Sequence, residues 1–190
     1  MNALTQPCPS HDPTTRGYFA IGAERMSKAL NLGNLMRSAH GFGAAFTFTV
    51  GATYLKDEAR ADTSKGQQHL PHYNWRGLDE MQLPQGCVPV GIELIEGAID
   101  LPSFKHPLRA AYVLGPEMGS LSEPLLERCQ HVVKIPTRFC VNVAMAGAIV
   151  MYDRIKSLGH WPDRPMMPGG PLTGAESTRK HVRGGPIKRT

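Results

Sequence analysis

The sequence is short of the features that would place it in several large protein classes. No apolar run approaches the roughly 20 residues that a membrane-spanning helix needs. The opening stretch MNALTQPCPSHDPTT has neither a basic start nor an apolar centre, so no secretory signal is expected and the cytoplasm is the expected location. The four cysteines, Cys8, Cys87, Cys129 and Cys140, stand far apart, without the short paired spacing of zinc ribbons or redox motifs, so reduced thiols and no metal are expected. Aromatic residues make up only 7% of the chain, too few to mark a base-stacking surface. Phosphate-binding signatures are missing as well. NLGNLM has a single glycine and is not a dinucleotide fingerprint, and the glycine-bearing GPEMGSLS (115–122) lacks the lysine and spacing of a P-loop. Nucleoside triphosphate hydrolysis is therefore disfavoured.

What is present fits one ordinary domain: 190 residues, 41% hydrophobic and 19% charged, enough to bury a core. The net charge of +5 is unevenly spread. From residue 160 onward Arg164, Arg179, Lys180, Arg183, Lys188 and Arg189 face only Asp163 and Glu176, so most of the excess lies in a tail rich in Pro and Gly. Too poor in apolar residues to bury itself, that tail is expected to be disordered in isolation. It can either follow an RNA backbone or simply solubilise the protein. The expected organisation is a flexible start over 1–15, a folded domain over 16–159 and the basic tail over 160–190.

Hydropathy spacing predicts strands at 16–24, 44–50, 87–94, 110–115 and 131–136. Between them, Leu32, Leu35, Met36, Ala39 and Phe42 recur at helical spacing, predicting a helix from about Asn31 to Gly43. Ser122 with Pro124 marks a second helix start, with Leu125 and Leu126 able to face the core. CVNVAMAGAIVMYDRIKSL (140–158) is the clearest helix, its Ala144, Ala146, Gly147 and Ala148 suited to close packing. The polar stretch from 54 to 81 has no assignable pattern. Strands alternating with helices imply an α/β domain with a mostly parallel sheet, whose ligands bind at the carboxyl ends of the strands.

Three such loops could carry chemistry: the segment Asn31 to Arg37 entering the first helix, GPEMGSLS, and the segment Ile135 to Asn142. Gly115 and Gly119 would let a flat ligand approach the backbone, with Glu117 as an acceptor, although glycines after strands more often just make turns. Asn31 and Arg37 lie six apart and so on different stripes of a helix, and an arginine on an amphipathic helix is usually a solvated one.

Together these segments resemble the three signature motifs of the SpoU branch of the SPOUT methyltransferases. NLGNLMRSAHGFG supplies Asn31, Arg37, Ala39, Phe42 and Gly43; LGPEMGSLS supplies Gly115, Glu117, Leu121 and Ser122; IPTRFCVNVAMAGAIVMYD supplies Ile135, Pro136, Asn142, Val143, Tyr152 and Asp153. The resemblance spans roughly 17–158. Pro116, Met118 and Ser120 depart from the usual second motif, Cys140 stands where a serine is usual, and the gap from Pro136 to Asn142 is short.

The resemblance implies a parallel α/β sheet flanked by helices, with a carboxyl-terminal deep trefoil knot. S-adenosylmethionine would bind in the knot loops, around Glu93, Leu94, Gly115, Ile135, Cys140 and Val141. Arg37 would meet the acceptor phosphate and hydroxyl, with Asn31, Glu117 and Asn142 shaping the catalytic site. The implied activity is 2′-O-methylation of an RNA ribose, by a homodimer whose RNA site the second subunit completes. No separate RNA-binding domain precedes the motifs, which favours tRNA over rRNA. The alternatives are an rRNA 2′-O-methyltransferase and a non-catalytic member that binds RNA or cofactor. A metal hydrolase built on His69 and His72 is the weakest rival, because HLPH places a proline between the histidines within a polar stretch.

Overall fold

The computed structural model describes residues 17–53 and 70–159, with Trp161 and Gly169. The expectations for 1–15 and for most of the tail, together with Cys8 and His69, lie outside the described residues. The chain divides into two units, Met1–His160 and Trp161–Thr190, and all the strands and helices of the sheet domain belong to the first.

The elements run β1 (Tyr18–Glu24), α1 (Ala29–Phe42), β2 (Phe46–Val50), β3 (His72–Trp75), β4 (Val88–Ile92), β5 (Ile99–Asp100), β6 (Arg109–Leu114), α2 (Glu123–Arg128), β7 (His131–Lys134) and α3 (Val143–Leu158), with short 3-10 turns at Leu78–Glu80 and Leu101–Ser103. Among the described residues the strands form one seven-stranded sheet in the order β3-β2-β1-β6-β4-β7-β5, and every pairing is parallel. A parallel sheet covered on both faces needs apolar residues throughout its central strands. YFAIGAE in β1 and RAAYVL in β6 meet that need, with all but their first residues buried.

One face carries Phe19, Ile21, Ala110, Tyr112 and Leu114 under α1 and α3; the other carries Phe46, Phe48, Ala111 and Val113 under Leu121 and Leu125. The small residues of α3 serve contact within the chain. A Cβ on Gly147 would lie 2.4 Å from Leu35 Cδ1, so glycine is what lets α3 sit close on α1. At Gly22 a Cβ would lie 2.2 Å from the Phe48 carbonyl oxygen, a backbone atom with no room to retreat. Among the described residues no helix is long and apolar enough to cross a membrane.

Several boundaries shift from expectation. The first helix begins at Ala29, two residues before Asn31, and the last begins at Val143, because the Asn142 side chain accepts from the Ala144 and Met145 amides and caps it. β3 lies in the polar stretch that showed no pattern, and β5 is only two residues long. Ser122 stands at the N-cap of α2 but makes no side-chain cap bond, since its hydroxyl donates to Glu24 instead.

The end of the sheet away from the strand carboxyl termini holds a buried polar network. Arg154, 3% exposed, donates to the carbonyls of Pro107 (2.6 Å) and Leu108 (2.8 Å) and to the Tyr112 hydroxyl (3.1 Å), and its guanidinium lies over the Phe19 ring. His106, 4% exposed, lies 2.6 Å from the Tyr112 hydroxyl through Nδ1 and 3.0 Å from Asp153 through Nε2. A carboxylate only accepts, so a neutral His106 carries its proton on Nε2 and Nδ1 accepts from Tyr112. Burial pushes Tyr112 up to about 12, which keeps that hydroxyl protonated.

Burial also holds His106 below its ordinary value of 6.5, against the pull of Asp153. A histidine depressed in the folded state binds fewer protons there than in the unfolded chain, so its contribution is present above 6.5 and is lost as pH falls. The groups facing it are Asp153, Tyr112, Arg154 and the ring of Phe104. The urea midpoint is expected to fall between about pH 7 and about pH 5, and less steeply in His106→Gln; parallel curves would remove His106 as a source of the acid sensitivity.

Candidate functional site

Loops at the carboxyl ends of β4, β6 and β7 close around a cavity of about 300 Å³, at the lower end of the size usual for small-molecule sites. The first loop supplies Ile92, Glu93 and Leu94, the second Gly115, Pro116, Glu117 and Gly119, and the third Ile135, Thr137, Cys140, Val141 and Asn142. Lys28 and Asn31, at the start of α1, complete the wall with Val143 and Ala146 of α3. Every residue that the resemblance implied for the cofactor is in this wall: Glu93, Leu94, Gly115, Ile135, Cys140 and Val141.

The three signature segments are tied together by one chain of hydrogen bonds. Glu117 Oε2 accepts from the Ser27 amide and hydroxyl, both at 3.0 Å, and Oε1 accepts from the Lys28 amide at 3.0 Å and from Asn31 Nδ2 at 3.1 Å. Asn31 Oδ1 in turn accepts from Asn142 Nδ2 at 3.0 Å, whose own Oδ1 caps α3. Partial burial pushes the Glu117 carboxyl up, but the donors from Ser27, Asn31 and Lys28 outweigh it and hold the group below the usual carboxylate value. The carboxylate thus stays charged at the positive end of α1, with its oxygens engaged by donors rather than open to take a substrate proton. Its chemistry is to fix the shape of the wall.

Two further carboxylates hold the second loop. Glu93 Oε2 accepts from the Leu121 amide at 2.8 Å and Oε1 from the Leu94 amide at 2.9 Å. A Cβ on Gly115 would lie 3.1 Å from Glu93 Oε2, so glycine there leaves the path of that side chain open. Glu24, 4% exposed, accepts from the Ser122 amide at 2.7 Å and the Ser122 hydroxyl at 2.5 Å. Its neighbour Arg25 donates to the Ser120 carbonyl at 2.6 Å from a left-handed backbone with φ of 49°, a conformation that costs a residue with a Cβ on the order of 1–2 kcal/mol. Glu24, Arg25 and Lys28 were not singled out from the sequence. A carboxylate closing the apolar run YFAIGA is the one local signal that could have marked Glu24.

Arg37 is the one expected catalytic residue that the cavity wall does not include. It sits on the exposed side of α1, roughly 9 Å along the axis from Asn31 and about 120° around it. Cys140 is exposed within the wall, whereas Cys129, pushed up to about 11 by burial, is a protonated packing residue. Among the described residues no group of three or more metal-ligating side chains exists, and His72 meets Thr47 at 3.0 Å.

No curated protein matches the sequence. The fold is similar to that of an rRNA methyltransferase from Sinorhizobium meliloti (TM-score 0.69, 20% identity, covering 77% of this chain and 58% of that one). It is also similar to AviRb, a SpoU methyltransferase from Streptomyces viridochromogenes solved in complex with AdoMet (TM-score 0.67, 19% identity, 74% and 58%). A third likeness is to a protein solved for the 2-OH methylation of C/U34 on tRNA (TM-score 0.65, 20% identity, 75% and 91%). The chain thus spans less than two thirds of the length of the first two. A model of the SpoU rRNA methylase family matches residues 18–152, which takes in the sheet, the cavity loops and most of α3, and the chain belongs to that family.

Proposed function

We propose that the protein is an S-adenosylmethionine-dependent RNA methyltransferase that acts on a ribose 2′-hydroxyl, with tRNA favoured over rRNA. The observation that carries this reading is the cavity in which Glu117, Asn31 and Asn142 bind three loops into one wall. The wall fits the cofactor. Ile92, Leu114, Ile135 and Val141 offer an apolar slot for a flat base, and the loop backbones offer donors and acceptors around it. S-adenosylmethionine, when bound, supplies an already electrophilic methyl group. The protein then has to align the acceptor and ease loss of its proton, and alignment alone can contribute roughly 7–11 kcal/mol.

Arg37 stays charged and is a poor free base, so its part is to orient and polarise the acceptor. Its distance from the cavity of its own chain supports a homodimer in which it serves the partner's cavity. Leu30 of α1 and Met145 and Tyr152 of α3, all exposed, provide apolar surface for that contact. Convergence of the loops after β4, β6 and β7 on one cavity is consistent with a threaded, knotted carboxyl-terminal part. The tRNA preference draws on the protein solved for tRNA 2-OH methylation, 91% of whose chain is covered.

The test is incubation with labelled S-adenosylmethionine and separate pools of unmodified tRNA and rRNA, followed by digestion and identification of the labelled nucleosides. Label on a ribose oxygen of tRNA is expected. Label on a base would overturn the ribose assignment, and cofactor binding without label would favour a non-catalytic binding protein. Arg37→Ala is expected to lower turnover by roughly tenfold to a hundredfold with the cofactor Kd within about twofold; unchanged turnover would remove Arg37 from the mechanism.

A further inference from the structure

Among the described residues, Lys28 is the only lysine or arginine in the cavity wall. The two acids of that wall are already engaged: Glu93 by the Leu94 and Leu121 amides, and Glu117 by Ser27, Lys28 and Asn31. None of the ion pairs among the described residues includes the Lys28 ammonium. Its backbone, by contrast, is fixed. The amide donates to Glu117 Oε1 at 3.0 Å, and the carbonyl accepts from the Asn31 amide at 3.0 Å and the Leu32 amide at 3.3 Å. The side chain therefore starts from an anchored point on the wall.

Helix energetics give no reason for a cation at this position. Lys28 occupies the N-cap of α1 without a side-chain cap bond, and no acidic residue follows in the first turn. A positive charge beside the positive end of a helix is disfavoured, and lysine is a poor cap compared with Ser, Thr, Asp or Asn. With Glu117 already taking the Ser27 and Lys28 amides at the helix end, the Lys28 ammonium is the charge left in this part of the cavity to attract an anion.

We infer that Lys28 holds an oxyanion that enters with the substrates, either the carboxylate of the cofactor's methionine portion or a phosphate of the RNA acceptor. The inference rests on the proposed methyltransferase activity. Lys28 is then a binding and positioning residue that makes no covalent contribution.

The experiment compares the full-length protein with Lys28→Met and with Lys156→Met, a control near the far end of α3. Calorimetry gives the Kd of S-adenosylhomocysteine and of 5′-methylthioadenosine, which lacks the amino-acid portion. Filter binding gives the affinity for total tRNA across a salt series. If the carboxylate is the ligand, Lys28→Met weakens S-adenosylhomocysteine by about tenfold and leaves 5′-methylthioadenosine unchanged. If a phosphate is the ligand, both small molecules bind as before, while tRNA affinity falls and the salt slope drops by about one, with Lys156→Met unaffected. Wild-type-like behaviour of Lys28→Met in all three measurements overturns the inference and leaves the methyltransferase activity standing. A wild-type protein that binds neither S-adenosylhomocysteine nor tRNA overturns both.

Discussion

Replacing Glu117 with glutamine is expected to lower methyl transfer by about one to two orders of magnitude without unfolding the protein. Four donors converge on its two oxygens, from the Ser27 amide and hydroxyl, the Lys28 amide and Asn31. An amide keeps one oxygen and turns the other into a donor. With the NH2 group in the place of Oε2 the Ser27 hydroxyl can turn to accept from it, so the Ser27 amide is left without an acceptor and the bonds that remain lose their charge. At roughly 1.5–2 kcal/mol for the lost charge-assisted bond, with the others weakened, the loss is about 2–3 kcal/mol. It falls on the cavity because these bonds join the start of α1 to the loop after β6. Single-turnover rates and the Kd of S-adenosylhomocysteine should both deteriorate, and the melting temperature should fall by about 5–10 °C. Unchanged turnover would show that the loops keep their places without this carboxylate.

Arg154→Met should cost stability and spare the site. The guanidinium is buried and satisfied by the carbonyls of Pro107, Leu108 and Tyr18, the Tyr112 hydroxyl and the face of Phe19. Methionine fills part of the volume but leaves those acceptors without donors, a loss of about 3–5 kcal/mol of the kind seen when one side of a buried polar pair is removed. For a domain of this size that lowers the melting temperature by about 10 °C. The network lies at the opposite end of the sheet from the cavity, so turnover at low temperature should stay within about twofold of wild type. A melting temperature within a degree or two of wild type would mean that the network is not a main support of the sheet.

The central strands and both long helices are legible in the sequence because their patterns follow from burial. β1 and β6 are covered on both faces and read as apolar runs, and Leu32, Leu35, Met36 and Ala39 mark the buried side of α1. β3 and β5 are not legible, since edge strands of four and two residues carry too few positions to show a period. In the site, the motif residues Asn31, Glu117 and Asn142 can be picked out from the sequence, but their joining cannot. Their bonds span 86 and 111 residues, and no local spacing reports a contact that distant. Ser122 shows the same limit from the other side. Its position before Pro124 marks a helix start correctly, while the acceptor of its hydroxyl, Glu24, is 98 residues away.

The strand order also sets a timetable for the chain as it leaves the ribosome. β1, α1, β2 and β3 are neighbours in sequence and in the sheet, so they can assemble as soon as they emerge. β4 has no such option, because both strands it pairs with, β6 and β7, are made after it. At about 5–20 residues per second, the nascent chain passes from Ile92 to Leu114 over roughly one to four seconds, holding VPVGI without a partner and one edge of β1 open. In that interval the growing polypeptide is open to mispairing and a natural client for a chaperone, and the arrival of β6 closes both edges at once.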